Sequence, residues 1–108
     1  MNTPKDYSER FDDLRKNRVE VSYYKYGPAS KNFGEHLVNA LETMKMCVEK
    51  YEKTGNTEYL VDAANYLMFE FEYPSIEDAY FESTDSSESA GISGTSYNDM
   101  LKEIHPDY

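Results

Sequence analysis

The sequence predicts an all-α fold: a small helical bundle built on an antiparallel helix hairpin, at about residues 30–54 and 57–73. Two observations predict it. Apolar side chains recur in both segments at the spacing of one helix face. The two segments are separated by a glycine and little else, and so short a connection favours antiparallel neighbours. The 108 residues fit one helical domain, 1–108, completed by an N-terminal helix and an irregular acidic C-terminal segment.

The N-terminal helix has a clear start signal and an ambiguous second half. Thr3 is a good N-cap residue and Pro4 suits the first helical position. Residues 18–26 fit the spacing of a strand as well as that of a helix. An isolated strand would leave its backbone groups unpaired, so we predict helix as far as Tyr26, ended by Gly27.

The hairpin helices are bounded by residues that favour helix ends. The second helix should begin at Ser30 or Asn32 and end at Gly55, which readily adopts a left-handed conformation. Its apolar stripe comprises Phe33, Leu37, Ala40, Leu41, Met44, Val48 and Tyr51. The third helix should be capped by Asn56, end before Pro74 and lie centrally, because several of its sides are apolar. Its predicted inner stripe comprises Leu60, Ala64, Leu67 and Phe71.

The C-terminal segment has weaker structural signals. Residues 76–81 could form one packed helical turn. Residues 83–96 are rich in Ser, Thr and Gly, which predicts a flexible loop. A short helix capped by Ser96 and stopped by Pro106 should follow.

Charge is distributed very unevenly along the chain. Residues 1–53 hold nine acidic and ten basic residues, whereas residues 54–108 hold twelve acidic residues and one lysine, for a net charge of −10. A half of one sign repels nucleic acid and anionic membranes and attracts basic surfaces. We therefore expect a basic protein partner, with neither direct nucleic-acid binding nor membrane binding. Solubility alone is the other explanation of the acidity.

The single cysteine of the chain gives no sign of an oxidising compartment. The polar N-terminus and the lack of a long apolar run predict a cytoplasmic protein. A lone cysteine cannot form an internal disulfide, and we interpret Cys47 as a small apolar residue, not a nucleophile. His36 and His105 are interpreted as ordinary surface or hydrogen-bonded histidines.

Tyrosines recur every seven residues in the acidic half, interleaved with carboxylates. Tyrosine combines an apolar ring with a polar tip and is enriched at protein interfaces. The predicted partner-binding residues are Tyr59, Asp62, Tyr66, Glu70, Tyr73, Glu77, Asp78 and Glu82. The alternative is that the rings only border the core. For Asp62 and Asn65, which interrupt an apolar run, we favour hydrogen bonds to the first helix or to residues 26–30 over a role in a site.

An alternative function comes from carboxylates near the hairpin turn. Glu49 and Glu52 end the second helix, and Glu58 and Asp62 begin the third. Hard divalent cations prefer oxygen ligands, and Mg²⁺ often joins carboxylates to phosphates. Convergence of Glu49, Glu52 and Asp62 would hold Mg²⁺ for nucleotide binding or hydrolysis. Otherwise no cofactor is expected.

Residues 59–67 (YLVDAANYL) resemble the second metal-binding helix of MazG-type all-α nucleoside triphosphate pyrophosphohydrolases. That family binds Mg²⁺ through an E-x-x-E pair on one helix and an E-x-x-D pair on the next. The resemblance implies a metal role for Asp62, and a partial one for Glu35. Tyr59 and Val38 stand where the family has carboxylates, which puts catalysis in doubt.

A longer resemblance covers residues 23–29, 54–60, 71–74 and 84–94, which look like small uncharacterised helical proteins encoded by phages and prophages. That resemblance implies an origin in a phage or mobile element. The sequence thus favours a non-enzymatic protein that binds, and by acting as a DNA mimic inhibits, a basic host protein such as a nucleic-acid-binding protein. A structural protein of a phage particle is a further hypothesis, and self-association of the chain is left open.

Overall fold

The computed structural model describes residues 5–85, which form four α-helices and, within that range, no strand. The helices are α1 (Glu9–Tyr26), α2 (Ala29–Asn32), α3 (Ala40–Thr54) and α4 (Glu58–Glu72). The all-α prediction is confirmed, and residues 18–26 are helical. The predicted loop is irregular at residues 83–85, and its remainder lies outside the described residues together with the predicted C-terminal helix.

Helix α1 begins later than predicted. Ser8 is its N-cap, and the Ser8 hydroxyl oxygen accepts a hydrogen bond from the Phe11 amide at 3.0 Å. The predicted start at Thr3 and Pro4 is wrong, because residues 5–7 form a turn. Ser8, and not Thr3, is the N-cap of the helix. The predicted end at Gly27 is confirmed by its positive φ of 86°.

The predicted second helix is divided into two. Residues 33–39 leave the helical path after α2, and α3 begins at a new cap, where the Asn39 side-chain oxygen accepts from the Glu42 amide at 3.0 Å. Gly34 disfavours helix, and asparagine competes with the helix for backbone hydrogen bonds. Phe33 is buried as predicted, whereas Leu37 of the predicted stripe is exposed.

The hairpin between α3 and α4 forms as predicted. Gly55 adopts a left-handed conformation with φ 75° and donates its amide hydrogen to the Tyr51 carbonyl at 2.7 Å. The Asn56 side-chain oxygen accepts from the Glu58 amide at 3.0 Å, and α4 follows at once. Helix α4 is central, since it packs extensively on α3 and, on another side, on α1.

The buried apolar core is small. Within residues 5–85 it consists of Phe33, Ala40, Val61 and Ala63, and the polar residue Asn65 is also buried. The predicted inner stripe of α4 is wrong at two positions, because Leu67 is 50% exposed and Phe71 is 65% exposed. Helix α1 instead covers the side of α4 that carries Asp62 and Asn65, since its Arg18 side chain bonds to Asp62 and its Arg15 carbonyl accepts from Asn65.

The segment after α4 leaves most of its large apolar side chains exposed. Residues 75–78 form a turn, closed by a hydrogen bond from the Ala79 amide to the Ile76 carbonyl at 3.3 Å. The expectation that Ile76, Tyr80 and Phe81 pack inward is wrong, because all three are largely exposed. None of the helices within residues 5–85 combines the length and the apolar character needed to cross a membrane.

Candidate binding surface

The polar residues at the start of α4 bond to α1. The Arg18 guanidinium donates to both oxygens of Asp62, with Nε–Oδ1 at 3.0 Å and Nη2–Oδ2 at 3.2 Å. Its Nη1 lies 3.0 Å from Glu58 Oε1, and the hydrogen bond with Asp62 raises the pKa of Arg18. Arg18 therefore pairs with the first two carboxylates of the acidic half and offsets one of their two negative charges.

Asn65 makes the second polar link between these helices. Its side-chain amide donates to the Arg15 carbonyl at 3.1 Å, while its Oδ1 atom is buried and has no hydrogen-bond donor. Asn65 also lines a cavity of about 370 Å³ between α1, residues 32–38 and α4. The interpretation of Asp62 and Asn65 as structural contacts to the first helix is therefore confirmed.

The carboxylates of the magnesium hypothesis are not brought together. Glu49 and Glu52 are exposed on α3, whereas Asp62 is turned towards α1 by Arg18. Within residues 5–85, no three histidine, cysteine or acidic side chains converge on a point that could hold a metal ion. The predicted convergence of Glu49, Glu52 and Asp62 is wrong, because the ion pair with Arg18 directs Asp62 elsewhere.

The four regularly spaced tyrosines have different environments. Tyr59 is half-buried, with the Lys50 ammonium 5.8 Å from its ring centre. Tyr66 packs edge-on against Phe33 at 6.0 Å, and burial raises the pKa of the Tyr66 hydroxyl. Tyr73 is half-buried, and Tyr80 is 83% exposed. Three of the four rings therefore border the core and only Tyr80 stands free of it, although a binding role for the half-buried rings stays a prediction.

The carboxylates from Glu70 onwards have a different environment from Glu58 and Asp62. Glu70 accepts hydrogen bonds from the Ser75 amide at 2.7 Å and from the Ser75 hydroxyl at 2.9 Å. The ion pairs within residues 5–85 include none of the four exposed acids that follow, which are Glu72, Glu77, Asp78 and Glu82. This end of the molecule therefore keeps its negative charge.

Exposed apolar side chains lie beside these acids. The Phe71 and Phe81 rings contact each other edge-on, with centres 6.3 Å apart, and both are largely exposed. This contact and the hydrogen bonds from Ser75 to Glu70 hold the segment after α4 against the last turn of the helix. We call the combined region the acidic–aromatic surface, formed by Leu67, Glu70, Phe71, Glu72, Glu77, Asp78, Tyr80, Phe81 and Glu82.

The acidic residues of this surface were predictable from the sequence, but its exposed apolar residues were not. Leu67 and Phe71 were assigned to the core, and Phe81 was expected to pack. One signal could have indicated otherwise: α4 is apolar on more sides than two neighbouring helices can cover.

Cys47, the only cysteine, lies outside this surface. It is partly buried on α3, and burial raises the pKa of its thiol. A raised pKa keeps the thiol protonated near neutral pH, where a thiol is a poor nucleophile. This environment agrees with the interpretation of Cys47 as an apolar residue.

Comparisons of this chain with protein-family models, curated proteins and solved structures find no match. The resemblances to MazG-type enzymes and to phage proteins therefore stay predictions.

Proposed function

We propose that this protein is a small acidic binding protein that presents its acidic–aromatic surface to a basic protein. One observation carries the proposal: residues 58–85 contain eight carboxylates and no lysine or arginine, and the ion pairs within the described residues leave out Glu70, Glu72, Glu77, Asp78 and Glu82. A surface of one sign next to exposed rings combines long-range attraction with apolar anchors.

The position of the charges supports binding over a role in solubility. The last turn of α4 carries Glu70 and Glu72 and no basic residue. The C-terminal end of a helix is itself negative, so carboxylates there cost stability and cations there are favourable. Charge needed only for solubility could be placed anywhere on the molecule, whereas a basic partner would relieve this particular repulsion.

The partner class follows from the same chemistry. Proteins that bind nucleic acid carry surfaces shaped to receive closely spaced negative charge. An acidic protein that occupied such a surface would inhibit nucleic-acid binding by competition. If the resemblance to phage proteins holds, the partner is a host protein.

The test is a salt- and charge-dependent binding experiment on the full chain. Basic proteins retained by the immobilised protein would be identified by mass spectrometry, purified, and titrated by calorimetry at low and high salt. We expect affinity to fall at least tenfold across that range, since exposed charges are screened by salt. DNA should compete for the same partner.

A matched pair of variants locates the binding surface. In the first variant, the three acids Glu77, Asp78 and Glu82 are changed to their amides. In the control, three exposed acids elsewhere, Glu20, Glu42 and Glu49, are changed to glutamine. Both variants lose the same charge, so only the first should weaken binding strongly. Equal losses would show that net charge alone, and not this surface, attracts the partner.

A further inference from the structure

The C-terminal half of one apolar face of α4 is left uncovered within the described residues, whereas the N-terminal half, at Leu60 and Ala64, is half-buried. Leu60, Ala64, Leu67 and Phe71 share this face because they are separated by three, four or seven residues. The polar contacts with α1 are made from the nearly opposite side of the helix, where Asp62 and Asn65 lie. At the N-terminal end of the face, Leu60 lines a cavity together with Phe11 and Leu14 of α1. The C-terminal half of the face, at Leu67 and Phe71, is the more exposed part.

The shape of this face suits another helix. The exposed side chains Leu67 and Phe71 lie four positions apart, or about 6 Å along the helix axis. Phe81 extends the apolar area beyond the end of α4 through its contact with Phe71. Side chains spaced in this way form a ridge, and helices pair by placing such ridges into each other's grooves.

Charge decides which helix can occupy the face. The chain's own residues 86–108 contain four acids and one lysine, and a second copy of the chain carries a net charge of −10. Both would bring negative charge towards Glu70, Glu72 and the acids of the following segment. Like charges repel, so a positively charged occupant is favoured over both the chain's own C-terminal residues and a second copy.

We propose that the acidic–aromatic surface binds an amphipathic helix of a basic partner. The apolar side of that helix would lie on Leu67, Phe71 and Phe81. Its lysine and arginine residues would face Glu70 and Glu72 and the negative C-terminal end of α4. This inference rests on the proposed function and adds the element that is recognised, a helix with one apolar face, as in other helix-in-groove complexes.

The test uses two synthetic peptides of 18 residues or so and identical lysine and leucine composition. One places leucine at helical spacing on a single face, and the other is scrambled so that it has no apolar face. We expect the patterned peptide to bind the full chain at least tenfold more tightly and to become helical by circular dichroism. Equal affinity for both peptides would overturn the helix proposal but leave the proposed function standing. If neither peptide bound, both proposals would fail.

Two pairs of variants place the peptide on α4. Leu67→Ser and Phe71→Ser should each abolish most of the preference for the patterned peptide. Leu37→Ser and Tyr24→Ser change residues that are 64% and 80% exposed elsewhere on the molecule and should leave that preference unchanged. Equal effects of all four substitutions would contradict the assignment of the peptide to this face.

Other occupants have distinct signatures. If Leu67→Ser abolished a dimer detected by sedimentation and left peptide binding unchanged, the face would be an interface between copies. If the paired change Met100→Ser and Leu101→Ser raised peptide affinity about tenfold, the chain's own C-terminal residues would be the occupant. Either result would overturn the proposal.

Discussion

Removal of the Arg18 guanidinium should loosen α1 from the rest of the bundle. Arg18→Met keeps the apolar stem of the side chain but removes both hydrogen bonds to Asp62 and the ion pair with Glu58. It leaves two neighbouring carboxylates without their shared cation. The change therefore tests whether this polar junction, in addition to apolar burial, fixes the position of α1.

The expected magnitude follows from the geometry and exposure of the junction. Charge-assisted, two-point arginine–carboxylate contacts are stronger than neutral hydrogen bonds. The Arg18 side chain is 41% exposed and that of Asp62 is 21% exposed, so water screens part of the interaction. Between the values for exposed and buried pairs, we expect a loss of about 1–2 kcal/mol in the free energy of unfolding. For a domain of this size, such a loss lowers the Tm by roughly 5–15 °C.

Urea unfolding followed by circular dichroism gives the measurement, and Arg18→Met, Asp62→Asn and the double variant form a cycle. We expect a coupling energy of about 1 kcal/mol between the two residues. Arg18→Lys should be intermediate because lysine cannot make the two-point contact. Arg10→Met changes an exposed cation on the same helix and should alter stability by less than about 0.5 kcal/mol. A coupling energy below about 0.3 kcal/mol would refute the reasoning.

Three further predictions concern stability and thiol reactivity. Asn65→Ala removes the hydrogen bond to the Arg15 carbonyl and should cost about 1–2 kcal/mol in urea unfolding; an unchanged midpoint would contradict that role. Gly55→Ala should lower the free energy of unfolding by about 1 kcal/mol. Gly55 has a φ of 75° and an added Cβ meets no atom within 4 Å, so the cost is purely conformational. Gly55→Asn should cost less, and equal Tm values for the two variants would contradict this reason. Burial raises the pKa of Cys47, so at pH 8 the folded protein should react with iodoacetamide more slowly than the urea-unfolded chain, and equal rates would show an accessible thiol.

The hairpin was predictable because its signals are local. Gly55 supplies the left-handed residue, and the Asn56 side chain accepts from the Glu58 amide, although the N-cap position itself is Thr57 and not Asn56 as predicted. Each of these residues acts within a few positions of its own. The helical state of residues 18–26 was predictable for a related reason, since no partner strand is evident in the sequence. The break at residues 33–39 was missed, although Gly34 and Asn39 both disfavour a continuous helix. The burial of Phe33 against α4 adds a tertiary contact that no local pattern contains.

The candidate surface was predictable in charge and only partly in shape. The absence of basic residues from 54 to 101 located the acidic half directly. The division of its carboxylates into those bound by Arg18 and those left exposed was not predictable, because Arg18 is separated from Asp62 by 44 positions. The free or half-buried state of each tyrosine likewise depends on which neighbour covers it.

The sequence by itself determined the helical class, the hairpin and the separation of charge, because periodicity, caps and composition act locally or are simple sums. Only the tertiary structure decided which side of α4 is buried. Two sides of that helix carry apolar residues that could face a core. Helix α1 covers the side from which Asp62 and Asn65 bond to it. Buried polar groups need specific hydrogen-bond partners, whereas apolar side chains can pack against any apolar surface. The polar contacts therefore fixed the position of α1 and left Leu67 and Phe71 exposed.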